Sequence, residues 1–220
     1  MTVDHQPLRV VLCDVNAKVV QAWLSAFADA ADVQITKGSI VDQQVDAWVS
    51  PTNSHGRMDG GVDAVIKRHL GAGIQMRVQK AIRAQFGASL PIGGAVCVAS
   101  GAANPRYLIS TPTMNASVED VSETLNVALA CAAAFQAIHM QNDREPGSIR
   151  SVALVGMGAA TGSVPPQVCA NLMWAGHALF QDYAFRDYDD LRATVVGQLA
   201  DIESRPQTER VRITPPATRR

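Results

Sequence analysis

Two glycine-rich segments are the clearest candidates for binding a ligand. Loop 1, residues 51–63, reads PTNSHGRMDGGVD, and loop 2, residues 156–165, reads GMGAATGSVP. Glycine lets the main chain approach a ligand closely, and free N–H groups at the start of a helix favour anions. Two such loops side by side would suit a diphosphate. Neither contains the Gly-Lys-Ser/Thr of a P-loop, and no Gly-x-Gly-x-x-Gly follows the first predicted strand.

Three polar residues in and near loop 1 have both a structural and a chemical interpretation. Asp63 falls in the first turn of a predicted helix, four residues before Lys67, where the helix dipole and the lysine stabilise a carboxylate. Asn53 could hydrogen-bond its own loop, as asparagines in turns often do. Asp46, at the start of a predicted strand, could tie down a turn. For Asn53 and Asp63, a role at a ligand site is equally open.

Strands and helices are predicted to alternate around these loops. Apolar runs predict strands at residues 8–13, 33–36, 45–50 (stopping at Pro51), 95–99, 107–110 and 152–155. Helical spacing and capping signals predict helices at residues 17–28, 61–70, 75–86, 118–140 and 167–183. This order is typical of a mostly parallel sheet between helical layers, with ligands at the carboxyl ends of the strands.

The composition indicates a soluble globular protein. Charged residues make up 18% of the chain and the net charge is −1, so a strongly basic nucleic-acid-binding surface is not expected. The longest apolar run, residues 127–135, is about half the length of a membrane span, and no signal peptide is visible. The four cysteines and five histidines lack metal-ligand spacing, so we expect free thiols, no metal, no cofactor and a cytoplasmic location.

The strand before loop 1 and loop 1 itself resemble the first signature of the macro domain family, in its MacroD-like form. Residues 46–53 read DAWVSPTN where the family has Asp-Ala-Ile-Val-Asn-Ala-Ala-Asn. Residues 60–66 read GGVDAVI, which is similar to the end of the family's glycine run and its Val-Asp-Gly-Ala-Ile. The stretch 153–165 is similar to the family's second loop. The resemblance covers about residues 33–184.

This resemblance implies an α/β fold, a three-layer α/β/α macro-like domain with a mixed, mostly parallel central sheet. That domain would comprise residues 37–200. Residues 1–36 would form an N-terminal strand–helix–strand extension packed on it. Residues 201–220, rich in arginine, threonine and proline with almost nothing apolar, are expected to be a disordered tail.

The resemblance also implies a ligand, ADP-ribose, with loop 1 around the distal ribose and loop 2 around the diphosphate. In hydrolytic members an asparagine holds the distal ribose, and an aspartate ten residues later orients a water near the anomeric carbon. Asn53 and Asp63 occupy those places as the implied catalytic pair; an amide suits sugar hydroxyls and a carboxylate suits a general base. The implied ligand-binding residues are Ser39, Ile40, Asn53, His55, Gly60, Gly61, Val62, Gly156, Gly158, Ala159, Ala160, Thr161, Gly162 and Ser163.

The sequence departs from the family pattern before and within loop 1. Ser39 replaces the aspartate that binds the adenine amine in many macro domains. Met58 and Asp59 stand where glycines are usual, and Asp59 would place a negative charge near a diphosphate. The replacement by Ser39 affects the preference for adenine, and the negative charge of Asp59 affects the affinity for the diphosphate.

Loop 2 allows two alignments with the family. Counting back from Pro165 puts Ala160 and Ser163 at glycine positions, where a side chain at positive φ would be strained. A shifted alignment on Gly158 and Gly162 relieves this strain. The sequence does not decide between them.

Three functions are compatible with these residues. The first is an enzyme that hydrolyses an ADP-ribosyl linkage, which the pairing of Asn53 with Asp63 favours. The second is a non-catalytic binding module for ADP-ribose or a related NAD-derived nucleotide, which the departures favour. The third is a scaffold for protein assembly with a degenerate pocket. The expected partner is ADP-ribose or an ADP-ribosylated substrate, with no membrane or nucleic acid, and the oligomeric state is open.

Overall fold

A computed structural model describes residues 8–203, in which strands and helices alternate. The strands are β1 Arg9–Asp14, β2 Val33–Lys37, β3 Ala47–Asn53, β4 Val96–Ala99, β5 Tyr107–Met114 and β6 Ser151–Leu154. The helices are α1 Ala17–Ala26, α2 Gly61–Leu70, α3 Gly73–Phe86, α4 Asn126–Arg144, α5 Pro166–Asp182 and α6 Tyr188–Glu203, and a 3-10 turn spans Ile40–Asp42.

The strands form one mixed, mostly parallel sheet in the order β2-β1-β6-β3-β5-β4. Only the β4–β5 pairing is antiparallel among the described strands. Side chains alternate between two cores: Val10 and Leu12 pack with α1, α4, α5 and α6, whereas Val11 and Cys13 pack with α2 and α3. The predicted three-layer α/β/α architecture is confirmed.

The N-terminal strands are part of the central sheet. Val10 of β1 pairs with Val33 of β2 on one side and with Val152 of β6 on the other, both in parallel. Helix α1 packs against β1, β2 and α5. The segment expected to lie on the domain as an extension therefore supplies two strands of its sheet, and the carboxyl end of β1 reaches the edge where loop 2 begins.

Helix α4 begins at Asn126, so the prediction of a helix from residue 118 is wrong at its start. The Glu119 carboxylate accepts hydrogen bonds from the N–H groups of Asn115 (2.6 Å) and Ala116 (3.3 Å). Val118 adopts a φ of 63°, which is incompatible with a right-handed helix. These local interactions keep the segment before α4 in a loop that follows β5.

Strand β3 continues through Pro51 to Asn53, whereas the sequence predicted a stop at the proline. Pro51 pairs with Thr111 of β5. On its other side β3 pairs with β6 only at Ala47 and Trp48, so the proline lies where the strand has one neighbour. A missing N–H is tolerated at such a position.

Helix α6 was not predicted. Leu191, Val195 and Leu199 are buried against the core that contains α4, and the Asp187 carboxylate accepts from the N–H of Asp189 (3.0 Å), which fits a helix start. The helix reaches Glu203, three residues into the segment expected to be a tail. Residues 1–7 and 204–220 lie outside the described residues.

The four cysteines, Cys13, Cys97, Cys131 and Cys169, are free thiols, as predicted. Burial raises the pKa of Cys13 and of Cys97 to about 12 and raises the pKa of Cys131 and of Cys169 as well. Thiols with raised pKa values are poor nucleophiles, so these side chains serve as packing. Within residues 8–203, no helix has the length and apolar character needed to cross a membrane.

Candidate functional site

Loops 1 and 2 meet in a cleft at the carboxyl ends of β3 and β6. Its volume is about 340 Å³, within the range of small-ligand pockets. The cleft also reaches the ends of β1 and β5 and the residues after β2. The lining residues are Cys13, Asp14, Val15, Gly38, Ser39, Ile40, Pro51, Gly60, Gly61, Val62, Asp63, Val65, Thr113, Met114, Val155, Gly156, Gly158, Ala160 and Thr161.

Asn53 shapes loop 1 from within. Its Oδ1 accepts hydrogen bonds from the N–H groups of His55 (3.1 Å) and Arg57 (3.3 Å), and its Nδ2 donates to the Arg57 carbonyl (3.0 Å). Gly56, inside this turn, has a φ of 62°, and a Cβ there would lie 2.8 Å from Ile82 Cδ1. Asparagine and glycine are thus both required by the shape of the loop.

Met58 anchors the middle of loop 1. Its side chain is buried in the core between the sheet and helices α2 and α3. Its N–H donates to Gln75 Oε1 (3.1 Å), which also accepts from Lys67 Nζ (3.0 Å). A residue at a usual glycine position therefore holds the loop down, and the adjacent Asp59 is exposed.

Asp63 is a buried carboxyl group at the start of α2, and it lines the cleft. Its Oδ1 accepts a hydrogen bond from Ser50 Oγ. Burial raises its pKa to about 6, assisted by the negative charge of Asp59 and opposed by the hydroxyls of Ser50 and Thr52 and by Lys67. A carboxyl group with a pKa near neutrality can exchange a proton with a reacting water at physiological pH.

Loop 2 combines features of both possible alignments. Gly158 has a φ of 71° and Ser163 has a φ of 58°, whereas Ala160 is not in the positive-φ region. A Cβ on Gly162 would lie 2.8 Å from the Gly158 carbonyl oxygen. Gly158 and Gly162 are therefore required by conformation and by close approach, and Ser163 adopts a backbone conformation that is uncommon for a residue with a side chain.

Asp14 fastens loop 2 to the first two strands. Its Oδ2 accepts from the N–H of Gly156 (3.0 Å), and its Oδ1 accepts from the N–H of Asn16 (2.8 Å). Its carbonyl accepts from the N–H of Gly38 after β2 (3.0 Å). Because a Cβ on Gly156 would lie 2.9 Å from Asp14 Oδ2, this contact also explains why loop 2 starts with glycine.

Main-chain groups are the available partners for an anion in this cleft. No basic side chain is among the described residues that line it, and Asp14 and Asp63 are its acidic residues. Helix α2 begins at Gly61 after Gly60, with no side-chain cap for its first N–H groups. Uncapped N–H groups at a helix start can bind a phosphate oxygen.

The cleft contains most, but not all, of the residues predicted from the sequence. Predicted residues that line it are Ser39, Ile40, Gly60, Gly61, Val62, Asp63, Gly156, Gly158, Ala160 and Thr161. Predicted residues outside the lining are Asn53, His55, Ala159, Gly162 and Ser163. Ligand contact stays a prediction for both groups of residues.

The contribution of the end of β1 was not predicted: Cys13 and Asp14 of the strand and Val15 after it line the cleft. The signal available was that β1 ends in a polar residue, but its place beside β6 depends on the sheet order. In residues 8–203 no cluster of three or more histidine, cysteine, aspartate or glutamate side chains is arranged to hold a metal ion.

The sequence of this chain is similar to a known protein family and to individual proteins. A family model described as Macro domain matches residues 49–173, which include both loops. An uncharacterised protein of Aquifex aeolicus is 36% identical over 143 residues, covering 64% of this chain and 78% of that protein. A macro domain-containing protein of Streptomyces griseus is 34% identical over 79 residues, covering 36% of this chain and 45% of that protein.

Solved structures share the fold. The macrodomain of Thermus aquaticus DarG is 25% identical, with a TM-score of 0.51, and the match covers 63% of this chain and 85% of that one. A variant of the Oceanobacillus iheyensis macrodomain, solved with ADPR, is 16% identical, with a TM-score of 0.53, and covers 74% and 91%. From the family match over more than half of its length, the chain belongs to the macro domain family.

Proposed function

We propose that the cleft binds ADP-ribose and that the protein hydrolyses an ADP-ribosyl linkage, with Asp63 as the general base. The observation that carries the proposal is the position of Asp63. Its buried carboxyl, with a pKa of about 6, lines the same cleft as both glycine-containing loops. A family match over residues 49–173 and a macrodomain of the same fold solved with ADPR support the choice of ligand.

The chemical layout of the cleft fits the parts of ADP-ribose. Val15 and Ile40, after β1 and β2, offer an apolar surface for a nucleobase. The N–H groups at the start of α2 and in loop 2 offer donors to the diphosphate. Asp63 and Thr113, beyond β3 and on β5, would then lie by the distal ribose. Ser39, close to the nucleobase end, would replace the usual aspartate as a polar contact.

In the proposed reaction, a water molecule attacks the anomeric carbon of the distal ribose with its oxygen. Ionised Asp63 accepts a proton from that water molecule as the attack proceeds. A new carbon–oxygen bond forms at that carbon while the bond to the leaving group breaks. The leaving group departs with the electron pair of that bond, free ADP-ribose is released, and the proton held by Asp63 returns to solvent. Because its pKa is about 6, the carboxyl is mostly ionised at pH 7 yet basic enough to assist. General-base assistance of this kind typically contributes about 10²–10⁴ in rate.

A second candidate function is binding without turnover, and the hydrogen bonds that Asn53 makes within loop 1 favour it. Its amide is hydrogen-bonded to the main chain of loop 1 through both its oxygen and its nitrogen. Contact with a distal ribose would require some of these bonds to be exchanged for bonds to sugar hydroxyls. If they are not exchanged, the ribose is left without the asparagine contact that the hydrolytic members of the family use.

Two experiments test the proposal in order. Calorimetric titration with ADP-ribose should give roughly micromolar affinity, about −8 kcal/mol, with amide NMR shifts confined to residues 38–40, 60–63 and 156–163. Absence of heat and of shifts at millimolar ADP-ribose would contradict the ligand. Incubation with ADP-ribosylated protein should then release ADP-ribose; tight binding without release would favour the binding module.

A further inference from the structure

We infer that Ser50 is a positioning residue for Asp63: its hydroxyl holds one oxygen of the carboxyl and leaves the other to face the substrate water. The inference rests on the proposed function for its catalytic meaning. The contact itself is independent of any ligand, because Ser50 Oγ donates to Asp63 Oδ1 in the protein alone.

The alternation of β3 places this hydroxyl under the cleft. Trp48 packs in the core on the α2–α3 side of the sheet, and successive odd and even residues of a strand face opposite sides. Ser50 and Thr52 therefore share the face of Trp48. Ser50 is fully buried, and Asp63 is 8% exposed. A small side chain is needed here, because α2 brings the carboxyl directly against the strand.

The charges around Asp63 make this hydroxyl consequential. Asp59 in loop 1 raises the pKa of Asp63 and Lys67 on α2 lowers it, while burial is the largest cause and raises it. Ser50 and Thr52 stabilise the ionised form. Without the Ser50 donor, one of the interactions that lower the pKa of Asp63 would be lost. The pKa would rise further, and a larger fraction of Asp63 would be protonated at neutral pH.

Geometry gives Ser50 a second effect. A carboxylate can accept hydrogen bonds at either oxygen and can rotate about its last side-chain bond. The bond from Ser50 to Oδ1 fixes that rotation, which leaves Oδ2 as the oxygen that accepts the proton of the attacking water. Ser50 thus fixes the orientation of the proposed base and favours its ionised form without contacting the substrate.

The test compares Ser50→Ala with Ser110→Ala. Ser110 is paired with Ser50 across the β3–β5 ladder, is equally buried, and does not line the cleft. Titration of the Asp63 carboxyl carbon by NMR should show its pKa raised by about one unit or more in Ser50→Ala, since a hydrogen bond to a charged group is lost. Ser110→Ala should leave it unchanged. Equal pKa values in wild type and Ser50→Ala would overturn the inference.

This readout needs no substrate, so it separates the inference from the proposed function. If ADP-ribose does not bind, the proposed function fails while the effect of Ser50 on the Asp63 pKa can still be measured. If Ser50→Ala does not fold, Ser50→Cys, whose thiol is a weaker donor of similar shape, should shift the pKa in the same direction by less. An unshifted pKa in a folded Ser50→Cys protein would also overturn the inference.

The pH dependence of turnover tests the catalytic part of the inference. In Ser50→Ala the acidic limb of the pH–kcat profile should move to higher pH by the same amount as the NMR titration, with the Kd for ADP-ribose within about threefold of wild type. A lower kcat with no shift of the acidic limb would show that Ser50 supports only the structure, and would overturn its role as a positioning residue.

Discussion

Two aspartates, Asp46 just before β3 and Asp63 on α2 near the carboxyl end of β3, have opposite surroundings. At the amino end, Asp46 Oδ2 accepts from the N–H groups of Arg150 (2.9 Å) and Ser151 (3.0 Å) and from Ser151 Oγ (2.9 Å), and Arg106 pairs with Oδ1 (3.3 Å). Burial alone would raise the pKa of Asp46, but these donors and the Arg106 charge together lower it. At the carboxyl end, burial dominates and the pKa of Asp63 is raised to about 6.

Asp46 has the surroundings of a structural carboxylate, whereas Asp63 has those of a carboxylate that can exchange protons. A carboxylate that receives several N–H donors and a guanidinium is held in its charged form, and it joins elements together. Asp46 does this for the starts of β3 and β6, whereas the sequence predicted a residue at the start of a strand that ties down a turn. A buried carboxylate with fewer donors keeps a pKa within reach of neutral pH, which is the property that proton transfer requires.

The largest expected effect is on turnover. Asp63→Asn keeps the shape and a hydrogen-bonding group but removes the base, so the rate of ADP-ribose release should fall by about 10²–10⁴, with the Kd for ADP-ribose within a few-fold. Asp59→Asn removes the same charge from an exposed site four residues earlier and should change the rate by less than about fivefold. Release at the wild-type rate by Asp63→Asn would remove this residue from the mechanism.

The pH dependence of stability should differ between the two ends of β3. The folded pKa of Asp63 is raised, so its contribution to stability is present below about pH 4 and is lost as the pH rises through about 6. Relative to Asp63→Asn, wild type should lose on the order of 2–3 kcal/mol across that interval. Urea unfolding at each pH measures this; parallel curves for the two proteins would argue against a raised pKa.

The lowered pKa of Asp46 predicts the opposite pH trend and a loss of stability on mutation. Its contribution is present above the unfolded pKa near 4 and is lost as the pH falls through the folded value. Asp46→Ala leaves the N–H groups of Arg150 and Ser151 without this acceptor and should cost about 1–3 kcal/mol at pH 7. Denaturant unfolding measures the cost, and calorimetry should show unchanged ADP-ribose affinity. Weaker binding would mean that the two ends are coupled.

The smallest effect is expected at Asn53. Asn53→Ala removes the bonds that hold residues 55–57 and any bond to the ribose, so ADP-ribose affinity should weaken by about tenfold, roughly 1.4 kcal/mol. Turnover should fall together with binding. Unchanged affinity by calorimetry would limit this residue to a structural role in loop 1.

Much of the fold could be predicted because its signals are local. The apolar runs of β1, β2 and β6 and the helical spacing of α2, with Gly71 after it, are properties of adjacent residues. The start of α4 was not predictable in this way. Ser117 and Asp120 are residue types that favour a helix start, which is why a helix was predicted from residue 118. In the structure the Glu119 carboxylate accepts hydrogen bonds from the N–H groups of residues 115–116 and holds a loop there.

In the candidate site, too, the residues with local signals could be predicted and those that depend on distant parts of the chain could not. Asp63 and the glycines of both loops could be found from spacing and resemblance, since they lie in the segments that join a strand to the next helix or in the first turn of that helix. The part played by Asp14 could not, because it depends on β1 lying beside β6, more than 130 residues away in the chain. The Ser50 contact was also invisible, since a serine in an apolar strand gives no indication of which face or which carboxylate it meets.

One titration tests the central claim most directly: the pH dependence of the carboxyl-carbon NMR signals of Asp46 and Asp63, with and without saturating ADP-ribose. Asp63 should titrate near pH 6, and its pKa should rise when the anionic diphosphate enters the cleft, because like charge disfavours the ionised form. Asp46 should titrate below its usual value and stay unchanged. If both groups titrate below pH 4, and neither responds to ADP-ribose, the claim that this cleft is the site of ligand binding and chemistry is contradicted.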